Sequence, residues 1–128
     1  MRRDTGYQAV IMDELALLGG LMHAALVENG FTYVDTACLR LSEVKKVIDL
    51  EPDLIVLNGN LSDPLCLDIL KSFQLYGLSR RVLLIASFRN EAEVAAGMAL
   101  GIRAFSSRPI ETQRIIDMAK LIISQQSN

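Results

Sequence analysis

Among its 128 residues the sequence has no tryptophan, a single histidine and only two cysteines. Each scarcity removes a class of function. Cys38 and Cys66 lie far apart without paired spacing, and His23 is the one imidazole available to them, so no zinc site of finger or ribbon type is written here. Both thiols read as small buried apolar groups in a reducing cytoplasm. Net charge is also small: 13 Lys and Arg against 15 Asp and Glu give −2, and the charges are spread along the chain. Such a balance provides no basic field for nucleic acid, and no direct DNA or RNA binding by this domain is expected. No segment approaches the ~20 apolar residues of a membrane span, and no signal-type apolar stretch follows Met1 to Gly6. A soluble, cytoplasmic chain with no membrane partner is expected. A glycine-rich phosphate loop, a nucleophile beside a base and a ligand cluster are missing too, which argues against an enzyme.

What the sequence does have is apolar content, 51% of its residues, enough at this length for one domain with a real core. Short β-rich runs alternate with stretches of helical period. The strands are expected at Gln8–Met12, Thr32–Thr36, the run from Asp53 to Asn58, Val82–Ala86 and Ala104–Ser106. Leu15, Leu18, Met22 and Leu26 mark the first helix, which stops at Asn29-Gly30. A second helix spans about Leu41 to Leu50, opened by Ser42 and closed before Pro52, and a third carries Leu65, Ile69, Leu70 and Phe73. The fourth spans about Glu91 to Leu100 and the fifth about Glu111 to Ser124, leaving a polar tail at residues 124–128.

Strands alternating with helices at this spacing are joined by right-handed crossovers, giving an α/β, doubly wound parallel sheet covered on both faces. Sites in such folds lie at the strands' carboxyl ends near the topological switch point. The residues delivered there are Asp13 and Glu14, Asn58, Ala86 and Ser87, and Arg108.

This set resembles the receiver domain of bacterial response regulators, across nearly the whole chain. Val10-Ile11-Met12-Asp13-Glu14 is similar to the strand ending in an acidic pair, and Pro52 to Asn58 to the strand ending in the phosphoacceptor. Ala86-Ser87 lies where a small residue and a phosphate-sensing hydroxyl would be, and Ala99-Leu100-Gly101 where the last strand's approach begins. Phe105 matches the aromatic switch position, and Arg108-Pro109 looks like the Lys-Pro pair. The resemblance implies a flavodoxin-like (βα)5 fold with strand order 2-1-3-4-5 and signalling ancestry.

The departures fall on the active residues. A receiver's acidic pair and acceptor carboxylate share a Mg²⁺ during phosphoryl transfer. Asn58 supplies neither nucleophile nor anionic ligand, so Mg²⁺ binding by Asp13 and Glu14 is expected to be weak or absent. By register Ala86 takes the sensing position, and the adjacent Ser87 should point to the other side of the strand. Arg108, whose planar fork takes a carboxylate bidentately, is expected to pair with Asp13 or Glu14 in the metal's place.

Excess apolar residues on the helices, Leu17, Leu21, Ile116 and Ile123 among them, suggest a contact surface. By resemblance it comprises Val94, Met98, Phe105, Ile116 and Ile123 and would serve a homodimer or a protein partner. The expected function is a degenerate receiver, independent of aspartyl phosphorylation, acting through protein contacts alone or as the regulatory half of a transcription factor. In the latter case a DNA-binding output domain would follow Asn128. The competing reading is a receiver still switched by phosphate or a small ligand at an unconventional residue such as Asp63.

Overall fold

The computed structural model describes residues 6–14, 17–88 and 90–126, with Leu17 described in its backbone alone. Five strands, β1 (Tyr7–Asp13), β2 (Phe31–Ala37), β3 (Leu54–Asn58), β4 (Val82–Ala86) and β5 (Ala104–Ser107), form one parallel sheet in the order β2-β1-β3-β4-β5. They alternate with α1 (Leu17–Glu28), α2 (Leu41–Asp49), α3 (Pro64–Leu75), α4 (Glu91–Ala99) and α5 (Thr112–Gln126), and a short 3₁₀ turn precedes β4. This is the flavodoxin-like arrangement expected from the sequence. Among the described residues no helix is long and apolar enough to cross a membrane.

The side-chain period of two splits each central strand between two cores. Val10, Met12, Ile55, Leu57, Val82 and Leu84 pack with Val47, Ile69, Leu70 and Phe73 of α2 and α3. Ile11, Leu54, Val56, Leu83 and Ile85 pack with Leu18, Met22 and Leu26 of α1 and with α5. Burial on both faces is why β3 and β4 read as continuous apolar runs. Fully burying each large aliphatic or aromatic side chain contributes about 1.5–3 kcal/mol.

Helix boundaries follow local chemistry, with some differences from the sequence reading. Asp63 caps α3 by accepting from the Leu65 amide at 3.0 Å, with Pro64 in the first turn where its missing N–H is harmless. Asn90 caps α4 through the Glu93 amide at 3.1 Å. Ser42 does not open α2: the extended Arg40 is the N-cap, makes no side-chain capping bond, and already accepts the Glu43 amide at 3.1 Å, which places Ser42 inside the first turn. α5 runs through Ser124 to Gln126, whose Nε2 donates to the Asp53 carbonyl at 2.7 Å, so the expected tail is helical up to that anchor. Leu15 lies outside the described residues. Cys66 is buried as expected, but Cys38, just past β2, is half-exposed.

The largest correction concerns the contact surface. Ile116 and Ile123 are buried, at 2% and 8% exposure, and belong to the core on the α1 side. They sit seven residues apart, beside Ile115, Ala119 and Ile122, and widen one stripe instead of forming a second face. The exposed large apolar residue of α5 is Leu121, and of the expected surface only Met98 is well exposed, with Val94 and Phe105 half-buried.

Candidate functional site

The strand order reverses at β1 and β3, where Asp13 and Asn58 are register partners at the carboxyl ends. That register brings together two residues 45 apart in sequence. Asp13 is nearly buried, at 7% exposure, so each of its oxygens needs a donor. Oδ2 accepts the Leu18 backbone N–H at 2.9 Å, satisfying an otherwise orphaned donor in the first turn of α1 where negative charge is favoured. Oδ1 accepts from Asn58 Nδ2 at 3.3 Å.

The other side of the Asn58 amide faces Arg108, which reaches over from the loop after β5. Its Nη2 donates to Asn58 Oδ1 at 2.5 Å and lies 3.5 Å from the Gly59 carbonyl, while Nη1 donates to Asn60 Oδ1 at 3.0 Å and Ser87 Oγ at 3.1 Å. Asn60 Oδ1 also receives the Ser87 backbone N–H at 3.4 Å. Gly59 is held by its own N–H to the Ile85 carbonyl at 3.0 Å, and a Cβ there would meet Cys66 Sγ at 2.8 Å, so the turn after β3 lies flat on α3. The result is a linear relay: guanidinium, neutral amide, carboxylate.

Two expectations are corrected by this geometry. Arg108 pairs with neither Asp13 nor Glu14; the amide stands between Arg108 and Asp13, and Glu14 is exposed outside the relay. Ser87 does not point away from the site: β4 ends at Ala86, so strand alternation no longer constrains the next residue, and its hydroxyl turns to Arg108. Ala86 is fully buried in the α2–α3 core. Asn60 was missed by sequence reasoning, although the pattern Asn58-Gly59-Asn60 after an apolar strand offers a signal, two amides flanking a turn residue.

Beside the relay, Phe105 meets Phe88 edge-on, with ring centroids 5.5 Å apart and planes at 73°. Gly97 of α4 gives the ring room, since a Cβ there would stand 2.7 Å from Phe105 Cε1. Burial raises the Cys66 thiol to about 11, helped by the Asp63 charge and opposed by the Asn60 backbone and Arg108, so it is no ready nucleophile. Among the described residues, no three His, Cys, Asp or Glu side chains gather where they could hold a metal ion.

No protein-family model matches the chain. The chemotaxis protein CheY of Bacillus subtilis is 21% identical over 111 residues, covering 87% of this chain and 92% of its own. Among solved structures, a LuxR-family DNA-binding response regulator from Staphylococcus aureus superposes with a TM-score of 0.73 at 14% identity, over 91% of this chain and 98% of that one. An orphan response regulator of H. pylori gives 0.73 at 17% identity, over 92% and 98%. These likenesses cover nearly the whole of each chain, and the fold of this chain is that of the receiver domain of response regulators.

Proposed function

We propose that the chain is a degenerate receiver: a signal-transduction module, not an enzyme, that works without aspartyl phosphorylation through contacts with a protein partner or a second copy. The observation that carries this reading is the Asn58 amide, held on one side by Arg108 and on the other by Asp13. An amide at the position of the acceptor has no anionic oxygen to attack phosphorus. A divalent cation there would have to displace the Arg108 guanidinium from Asn58 and the Leu18 and Asn58 donors from Asp13. One committed carboxylate beside a resident guanidinium is a poor donor set for Mg²⁺, which takes near-octahedral oxygen ligands. The residues present do not fit the metal.

Asp63, the acid nearest in sequence after Asn58, spends its carboxylate as the cap of α3, which disfavours it as a substitute acceptor. Output would run through protein contacts on the face of α4 and β5, where Met98 is 51% exposed and Val94 and Phe105 form a half-buried rim. An output domain joined after α5 fits the same reading, with the described domain as the regulatory half in the cytoplasm. The test is incubation with a small acyl-phosphate donor and Mg²⁺, followed by intact mass. No phosphoryl adduct is expected, whereas Asn58→Asp restores the nucleophile and is expected to accept one. A stable adduct on the natural sequence would refute the reading.

A further inference from the structure

A second concave region lies at the opposite end of the sheet, among the residues that precede β3 and β4 and the carboxyl ends of α2 and α3. Its volume is about 590 Å³, within the range of small-molecule sites. Ile48, Leu50 and Leu78 supply apolar wall, and Tyr33 and Tyr76, exposed at 44% and 66%, offer aromatic surface. Two carboxylates, Glu51 and Asp53, line it with one guanidinium, Arg81, whose Nη1 donates to the Pro52 carbonyl at 2.8 Å.

Three features of the described lining favour a cation in this cavity. Helices α2 and α3 both present their carboxyl termini, where the partial charge of unpaired carbonyls favours cations. Among the described lining residues the carboxylates outnumber the guanidinium. Third, Glu51 breaks two local rules at once. Its N–H closes α2 by donating to the Ile48 carbonyl at 3.0 Å, with a φ of 51° that L-residues seldom adopt and that glycine or asparagine takes readily at this place. It also puts an acid where the helix end repels one. A residue wrong for both backbone and field is expected where a site needs its side chain.

We propose that this basal cavity binds a small organic cation, an ammonium or guanidinium on a flat or aliphatic stem. The stem lies against Tyr33, Tyr76 and the apolar wall, and the charge is held by the exposed Glu51, with the buried Asp53, already engaged by the Gln8 N–H, behind it. The site is separate from the Asn58 relay. Asp53 lies beside the end of α5, since its backbone carbonyl takes the Gln126 amide and its Oδ2 takes the Gln8 N–H at 2.9 Å. A bound cation would therefore act close to the end of α5.

The experiment is titration of the full chain with phenethylammonium, 2-phenylethanol and phenylacetate, followed by calorimetry and amide chemical shifts. The cation is expected to saturate with shifts at Tyr33, Glu51 and Tyr76, and the neutral and anionic analogues to bind at least about five-fold more weakly. Glu51→Gln should lower cation affinity by about the same factor. Glu51→Gly separates binding from structure: it should raise the unfolding midpoint by relieving the backbone yet lose the affinity. Absence of saturation, equal binding of phenylacetate, or full affinity in Glu51→Gly would each overturn the proposal.

Discussion

Replacing Arg108 by alanine tests the relay most directly, because this side chain joins the turn after β3 to the loops after β4 and β5. Its Nη2 bond to Asn58 is partly buried and charge-assisted, and loses about 1–1.5 kcal/mol when removed. The two Nη1 bonds, to Asn60 and Ser87, are exposed and contribute about 0.3–0.5 kcal/mol each. Arg108→Ala should therefore destabilise the domain by about 2 kcal/mol. With an unfolding entropy of about 2.1 cal/mol/K per residue over 128 residues, the melting midpoint should fall by roughly 7 °C. Arg108→Lys keeps the charge but loses the planar fork, and should recover about half of the loss. Urea unfolding followed by circular dichroism reads the free energies, and the Asn58 side-chain amide resonances read the geometry. A loss below about 0.5 kcal/mol, with those resonances unmoved, would refute the relay.

Three other perturbations probe features near the relay. Ser106 is buried at 1% exposure and its hydroxyl has no hydrogen-bond partner among the described residues, so Ser106→Ala should raise stability by about 1 kcal/mol in urea; a fall would show that the hydroxyl is satisfied. Gly97→Ala gains helix propensity but drives a methyl into Phe105, and should lose about 1–2 kcal/mol net, with an altered Phe88–Phe105 contact seen in ring proton shifts; unchanged stability would mean that the ring yields freely. The Cys66 thiol, raised from 9.0 to about 11 by burial, stays protonated in the fold while the unfolded chain releases its proton, so stability should decline as pH rises from 9 toward 11. Cys66→Ala should flatten that decline. Under native conditions the half-exposed Cys38 should alkylate well before Cys66.

The architecture was legible because its signals are local and repeated. Apolar runs bounded by turn residues marked the five strands to within a residue or two, and the alternation of strand and helix gave the parallel sheet and its crossovers, while the strand order came from the resemblance to receiver domains. Asp13, Asn58, Ser87 and Arg108 were also legible as residues of one end of the sheet, since each ends or follows a strand. Their pairing was not. Which donor meets which acceptor depends on side-chain reach across loops, and Asn60, two residues past a strand end, carries no periodic signal. Ser87 was misplaced because strand alternation was extended one residue beyond the strand. Ile116 and Ile123 were misread because α5 packs against both the sheet and α1, so a wider arc of that helix is covered than one stripe predicts.

The neutrality of Asn58 is what allows the relay to be linear. With a carboxylate there, Asp13 and its neighbour would repel across a nearly buried contact, and that repulsion would need a cation between them. The amide offers a donor to Asp13 and an acceptor to Arg108, so one uncharged group satisfies a buried anion and a partly buried cation at once. Arg108 is then left to hold Asn60 and Ser87, which joins the loops after β3, β4 and β5 through a single side chain. That link holds the three loops to one another. Asn58→Asp should therefore bring Arg108 into an ion pair with the new carboxylate and loosen Asp13, shifting the Leu18 amide resonance as its acceptor moves. A Leu18 amide that stays in place in that variant would mean that Asp13 is held by the α1 terminus alone and that the amide bridge contributes nothing to it.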